Sequence, residues 1–141
     1  MKRFIRLVCF FMVFATLAAV PTFAQAVEPR GSNEISSYRA YCTKKSSTTV
    51  VVSYHILGTT GLDEIGANTI KVQYSSDGVN WTTAQTFRKA DYPSMVDYNT
   101  AFHGGTLTAT VPSGMQYRAY VEFYGEKDGG FTERYYYTPI I

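Results

Sequence analysis

Apolar and polar positions alternate along most of this chain after residue 36, and no stretch there shows the 3.6-residue period of an amphipathic helix. Alternation with a period of two predicts β-strands, because successive side chains of a strand point to opposite faces of its sheet. In residues 117–124, YRAYVEFY, the odd-numbered positions would face a core and the even-numbered positions solvent. The predicted strands are residues 37–43, 48–57, 69–75, 81–87, 106–111, 117–124 and 131–138, with 95–102 as an eighth.

Residues that favour turns separate these segments. Asp77-Gly78 lies between two alternating segments and is a strong hairpin signal. Residues 112–114, PSG, predict a tight turn, and residues 126–130, EKDGG, a second hairpin. Loops or turns are also predicted at residues 44–47, 58–68, 88–93 and 103–105. Seven or eight short strands with frequent turns predict an all-β antiparallel sandwich, with another small antiparallel sandwich or a barrel as the alternative.

The N-terminus carries the three parts of a secretory signal peptide in order. Lys2, Arg3 and Arg6 form a basic region, an apolar run follows from Leu7 to Val20, and Ala24-Gln25-Ala26 fits the small-residue cleavage pattern. The apolar run is shorter than the ~20 residues that a membrane-spanning helix needs. The chain is therefore divided into a signal peptide (residues 1–26), a flexible lead-in (27–36) and one β-domain (37–141). The mature protein is predicted to be secreted, without a membrane span.

Charge argues against nucleic acid as a partner. The thirteen basic and eleven acidic residues give the whole chain a formal charge of +2. Three of the basic residues leave with the signal peptide, so ten basic residues face eleven acidic ones in the mature chain, a formal charge of −1. No basic cluster larger than Lys44-Lys45 or Arg88-Lys89 is present to follow a phosphate backbone.

Cys42 is the one cysteine left after cleavage, so it has no partner for a disulfide within the chain. We predict that it is buried as a small apolar residue, as free cysteines usually are. An intermolecular bridge is the alternative.

The residues that could carry chemistry do not form a recognisable constellation. His55 falls on a strand, His103 falls in a predicted turn, and no G-x-S-x-G segment is present. Asp77 and Asp128 each precede glycine and are explained as turn residues rather than calcium ligands. The sequence therefore predicts a protein that is not an enzyme and holds no metal or cofactor. A secreted toxin or enzyme, with residues that converge only in space, is the third-ranked hypothesis.

The stretch from Leu107 to Phe123 resembles the corner between the fifth and sixth strands of fibronectin type III and related immunoglobulin-like domains. Leu107 and Val111 end one apolar strand, a Pro/Gly turn follows, and Tyr117 opens the next strand. The resemblance implies an immunoglobulin-like sandwich of about seven strands. It also implies that Tyr117 is the structural tyrosine corner, whose hydroxyl bonds to upstream backbone. The chain is also similar to small secreted proteins of Gram-positive bacteria, a likeness that implies no function.

Tyrosine is unusually frequent, with twelve residues against a single tryptophan. We interpret Trp81 as part of the core. If the last two strands are neighbours, their outward side chains would form one aromatic surface, which suits a carbohydrate or a protein partner. The predicted ligand-binding residues are Tyr120, Tyr124, Arg134 and Tyr136. The predicted function is a secreted non-enzymatic binding or adhesion module. The alternative is a self-associating structural protein of a cell-surface layer or matrix, and the sequence leaves the oligomeric state open.

Overall fold

The structure, a computed structural model, describes residues 33–141, so the predicted signal peptide and most of the lead-in lie outside the described residues. The prediction of an all-β domain is confirmed over these residues, with one short 3-10 turn at Pro93–Met95. The strands are β1 (Ile35–Ser46), β2 (Thr49–Ser75), β3 (Thr82–Arg88), β4 (Val96–Thr110), β5 (Gln116–Lys127) and β6 (Gly130–Tyr137).

All pairings are antiparallel, and the long strand β2 organises them. The first part of β2, residues 49–58, lies between β1 and β4. Its last part, residues 69–75, lies between β3 and β5, and β6 pairs with the far side of β5. Because β2 runs through both sets of pairings, the strands form one sheet that curls back on itself. We call β1, the start of β2 and the end of β4 the first half, and β3, the end of β2, β5 and β6 the second half.

The core lies between these two halves, as the alternation predicts. Val50, Val52 and Ile56 on β2 are fully buried. On β5, Ala119, Val121 and Phe123 are fully buried as well, and the Phe123 ring lies 5.3 Å from that of Tyr38 on β1, centroid to centroid. The inward positions predicted for these two strands are therefore confirmed.

Two segments predicted as a loop and a turn are strand. Residues 58–68 continue β2, and residues 103–105 continue β4, so eight predicted segments become six strands. Leu62, Ile65 and Ala67 are buried, and a register shift between Leu57 and Leu62 accommodates the extra residues as a bulge. The glycines and threonines of this stretch therefore mark a bend in a continuous strand.

The glycine pair in β4 reflects close packing rather than a turn. Gly105 lies opposite Tyr54, and a Cβ atom at Gly105 would lie 2.5 Å from the Tyr54 hydroxyl oxygen. A glycine inside a strand often marks such an approach. The sequence alone does not show that the Tyr54 side chain lies against residue 105 and that a glycine is therefore necessary there.

The two predicted hairpin signals do mark chain reversals. After β2, the Oδ1 atom of Asp77 accepts hydrogen bonds from the backbone N–H groups of Val79 and Asn80, at 2.9 and 2.8 Å. Between β5 and β6, Asp128 and Gly129 have φ values of 51° and 76°, as a two-residue hairpin turn requires.

Between residues 33 and 141, no helix has the length and apolar character to cross a membrane.

Candidate functional site

The side of the second half that points away from the core, here called the outer face, carries a group of neighbouring aromatic side chains. Directly opposite residues of antiparallel strands place their side chains on the same face. Tyr120 on β5 lies opposite Tyr137 on β6, and Glu122 lies opposite Tyr135. The aromatic side chains that β6 contributes to this face are therefore Tyr135, Tyr137 and, nearer the hairpin, Phe131.

The predicted placement of Arg134 and Tyr136 on this face is wrong. Tyr136 lies opposite the buried Val121 and packs edge-on against Tyr38, with ring centroids 6.4 Å apart. Arg134 lies opposite Phe123, and its Nη2 atom donates a hydrogen bond to Asn33 Oδ1 at 3.2 Å. Residues 135–137 are all tyrosine, so apolar alternation gives no phase there. The two-residue turn at Asp128–Gly129 sets the phase instead.

Arg118 is held between two aromatic rings at one end of the outer face. Its guanidinium carbon lies 4.2 Å from the ring centroid of Trp81 and 4.5 Å from that of Tyr137. Its Nε atom donates a hydrogen bond to Gln73 Oε1 at 2.9 Å. Trp81 is therefore a half-buried residue of the outer face, and the interpretation that places it in the core is wrong.

Tyr120 lies at the centre of an aromatic cluster next to this clamp. Its ring lies 5.1 Å from Tyr137 and 6.1 Å from Tyr135, and the Tyr120 and Tyr135 rings are nearly parallel. The ammonium of Lys71 is 5.6 Å from the Tyr120 ring centroid. Tyr135 is 56% exposed and Tyr137 52%, so both rings are accessible from solvent.

The other end of the outer face is acidic. The Lys89 ammonium lies 4.3 Å from the ring centroid of Tyr124 and forms an ion pair with Glu64 at 2.6 Å, the one salt bridge found within residues 33–141. The Tyr124 hydroxyl donates to a carboxylate oxygen of Glu126. Two effects raise the pKa of Tyr124: partial burial is the larger, and the hydrogen bond to the Glu126 carboxylate is the second. The Tyr124 hydroxyl therefore remains a neutral donor. Of the predicted ligand-binding residues, Tyr120 and Tyr124 thus share the outer face.

The histidines and the cysteine do not come together into a catalytic arrangement. His55 lies beside Tyr41 on the solvent side of the first half, with ring centroids 6.4 Å apart. His103 lies opposite Ile56 and turns inward, with its Nε2 atom 3.5 Å from the Tyr54 hydroxyl oxygen. Cys42 is buried as predicted, and burial raises the pKa of its thiol to about 11.

Residues 33–141 form no pocket, and they contain no cluster of three or more histidine, cysteine or acidic side chains able to hold a metal ion. The outer face is therefore a surface without a cleft.

Comparison with protein-family models gave no match, and neither the curated proteins nor the solved structures gave one.

Proposed function

We propose that this protein is a secreted, non-enzymatic binding module whose outer face contacts an extracellular polysaccharide. The observation that carries the proposal is the continuous aromatic surface formed by Tyr120, Tyr135 and Tyr137, of which the last two are more than half exposed. Contiguous apolar surface of this kind on a small domain marks a contact site. Secretion follows from the predicted signal peptide.

A polysaccharide suits this face better than a small ligand does. A sugar ring has an apolar C–H face and a polar rim, and tyrosine offers the matching combination of an apolar ring and a polar hydroxyl. The Tyr135 hydroxyl donates to Glu133 Oε2 at 3.1 Å, so a carboxylate already lies beside the exposed rings to accept bonds from sugar hydroxyls. Because the described residues enclose no pocket, an extended chain lying across the strands fits better than a single enclosed sugar.

We also propose that the fold is an immunoglobulin-like sandwich of the fibronectin type III kind. The strand order supports it: the first half pairs as β1, β2, β4 and the second half as β3, β2, β5, β6. The Tyr117 hydroxyl donates to the Pro112 carbonyl oxygen at 2.6 Å, the type of contact that a tyrosine corner makes. An experimental structure with a different pairing order would contradict this part of the proposal.

The binding proposal is tested by affinity electrophoresis of the purified protein in gels cast with neutral and acidic polysaccharides. We expect retardation of the wild type and its loss in a Tyr135→Ala/Tyr137→Ala variant. The matched control is Tyr41→Ala/Phe102→Ala, which removes two aromatic rings of similar exposure, 47% and 55%, from the first half. If both double variants behave alike, the outer face is not the contact surface. If the protein binds a protein partner instead, and Tyr135 and Tyr137 are needed for that binding, the outer face is confirmed as the contact surface but the assignment of a polysaccharide ligand is wrong.

One observation favours self-association as a second candidate. Within residues 33–141, β6 pairs with β5 alone. Thr138 donates its N–H to Ala119 O, so the alternation of an antiparallel ladder directs the N–H and C=O groups of Tyr135 and Tyr137 away from β5. A free edge of this kind can pair with a second copy. Sedimentation equilibrium across a hundredfold concentration range tests it, and a monomer at every concentration would contradict it.

A further inference from the structure

The clamped guanidinium of Arg118 has hydrogen-bonding groups that the protein does not use. Its Nε–H is taken by Gln73, and within the described part of the chain Arg118 makes no other hydrogen bond and no ion pair. Its terminal nitrogens, which have no partner among the described residues, are not fully buried, and the side chain as a whole is half-buried. The two Nη groups of Arg118 are therefore available to a ligand.

The rings on either side of Arg118 hold it in position for such a ligand. Trp81 at 4.2 Å and Tyr137 at 4.5 Å restrict the guanidinium plane, and the bond to Gln73 fixes its rotation. A planar guanidinium binds a carboxylate or a sulfate through two parallel N–H···O bonds. Because the side chain is already ordered, binding loses little of the rotamer entropy that an exposed arginine would otherwise lose.

Lys71 provides a second cation in the neighbouring row of the sheet. Lys71 lies opposite Tyr120, and Gln73 lies opposite Arg118, so the two cationic rows are about 6.6 Å apart along the strands. The Lys71 ammonium faces the Tyr120 ring and forms no ion pair with any residue from 33 to 141. No carboxylate belongs to either row.

Three of the four carboxylates of the outer face lie toward its other end, and the fourth, Glu122, lies opposite Tyr135 in the row next to Tyr120. Glu126 and Glu64 are opposite each other near the β5–β6 hairpin, and Glu133 lies opposite Tyr124 in the next row. The face is thus polarised along the strands, with Arg118, Lys71 and Tyr137 at one end and most of the carboxylates at the other, while Tyr135 lies between them. An anionic polymer would be attracted to the cationic end and repelled from the hairpin end.

We propose that Arg118 and Lys71 form an anion-binding subsite and that the polysaccharide is acidic. Arg118 binds a carboxylate through its two Nη groups, Lys71 contacts a neighbouring charge, and the exposed rings of Tyr135 and Tyr137 support the sugar rings. This inference rests on the proposed function, since it names the chemical class of polymer that the same face takes.

The test compares polymers that differ only in charge. Affinity electrophoresis uses polygalacturonate against the fully methyl-esterified polymer, and dextran sulfate against dextran. We expect the wild type to bind polygalacturonate at least about tenfold more tightly than its ester. The dextran pair shows whether sulfate replaces carboxylate. Arg118→Gln and Lys71→Gln are each expected to lose about tenfold or more for the acidic polymer alone, while Arg39→Gln, a cation on β1 in the first half, is expected to change nothing.

Further measurements distinguish a failure of the anion subsite from a loss of folding and from a failure of the proposed function. Thermal unfolding checks that Arg118→Gln is folded, and Lys71→Gln tests the subsite without touching the clamp. Equal binding of ester and acid, still lost in Tyr135→Ala/Tyr137→Ala, overturns the anion subsite and leaves the proposed function standing. Binding to no polysaccharide at all overturns both. Equally tight, Arg118-dependent binding to polyglutamate overturns the assignment to a sugar polymer.

Discussion

The Tyr117 hydroxyl donates a hydrogen bond to the carbonyl oxygen of Pro112 at 2.6 Å, which ties the first residues of β5 to the turn that precedes them. The Tyr117 ring is 1% exposed, so replacing the residue with phenylalanine keeps the packing and removes this bond together with a longer one, 3.4 Å, from the Met115 N–H to the same hydroxyl. We expect Tyr117→Phe to lower the free energy of unfolding by about 1 kcal/mol. The thermal midpoint should fall by about 4–8 °C, measured by circular dichroism.

The control for this substitution is Tyr135→Phe, which removes an exposed hydroxyl bonded to Glu133. We expect a much smaller shift there, because this bond is exposed and water replaces the lost hydroxyl as the partner of the Glu133 carboxylate. Equal shifts in the two variants would mean that the Tyr117 hydroxyl is not a structural contact.

Gly66 allows β2 and the start of β4 to approach each other. A Cβ atom at this position would lie 2.2 Å from the Met95 carbonyl oxygen and 2.6 Å from the Val96 Cα atom, so backbone would have to move. We expect Gly66→Ala to cost about 3 kcal/mol, as overpacking does, measured by urea unfolding. Gly61→Ala is the matched control, because a Cβ atom there meets nothing within 4 Å. A Gly66→Ala variant as stable as the control would show that this approach is not tight in solution.

His103 gives stability a dependence on pH. Burial lowers its pKa from the ordinary value of 6.5, with an opposing contribution from Asp97. The unfolded chain therefore takes up this proton at a higher pH than the folded chain does. The stabilisation is complete above about pH 6.5 and is lost as the pH falls through the lowered pKa of the folded state.

Urea unfolding at pH 7.5, 6.5 and 5.5 measures this effect. We expect the wild type to lose stability toward pH 5.5 and His103→Gln to lose less over the same range. His55→Gln, which changes a histidine on the solvent side of the first half, should follow the wild type. If His103→Gln and the wild type show the same slope, the titrating group lies elsewhere.

Cys42 should be chemically inert while the protein is folded. Its side chain is buried and its pKa is raised to about 11 by that burial, so almost no thiolate exists at pH 8. In a Cys9→Ser background, we expect a thiol reagent to label the native protein only after denaturant is added. Adding Cys42→Ala and Thr43→Cys moves the thiol to the exposed neighbour and should restore rapid labelling. Rapid native labelling at Cys42 would contradict the buried position.

Some strands could be predicted in detail because their alternation is unambiguous. In β5, small or apolar residues at 117, 119, 121 and 123 alternate with polar or amphipathic ones, and the burial follows that order. The start of β2 behaves in the same way, with Val50 and Val52 buried. Burial of apolar area is the dominant stabilising term, so a clear pattern of this kind fixes which face points inward.

The candidate site was predicted only in part. Tyr120 and Tyr124 follow from the alternation of β5, whereas Tyr135 and Tyr137 do not, because tyrosine suits either face of a strand. The interpretation of Trp81 as a core residue was wrong because its ring packs against the guanidinium of Arg118 on β5, a contact between residues far apart in the sequence. Residues 58–68, which were expected to form a loop, are strand because β4 pairs with this part of β2 on one side and β5 on the other.

By itself, the sequence determined the all-β class, the burial of its alternating strands and the position of the two hairpins predicted at Asp77-Gly78 and residues 126–130, because each depends on residues close together in the chain. Tertiary structure alone decided the continuity of β2 and β4, the phase of β6 and the clamp around Arg118. Those features depend on contacts between residues far apart in sequence. Their physical cause is the register that strand pairing and turn geometry impose, because the local patterns of these strands would allow either side to face the core.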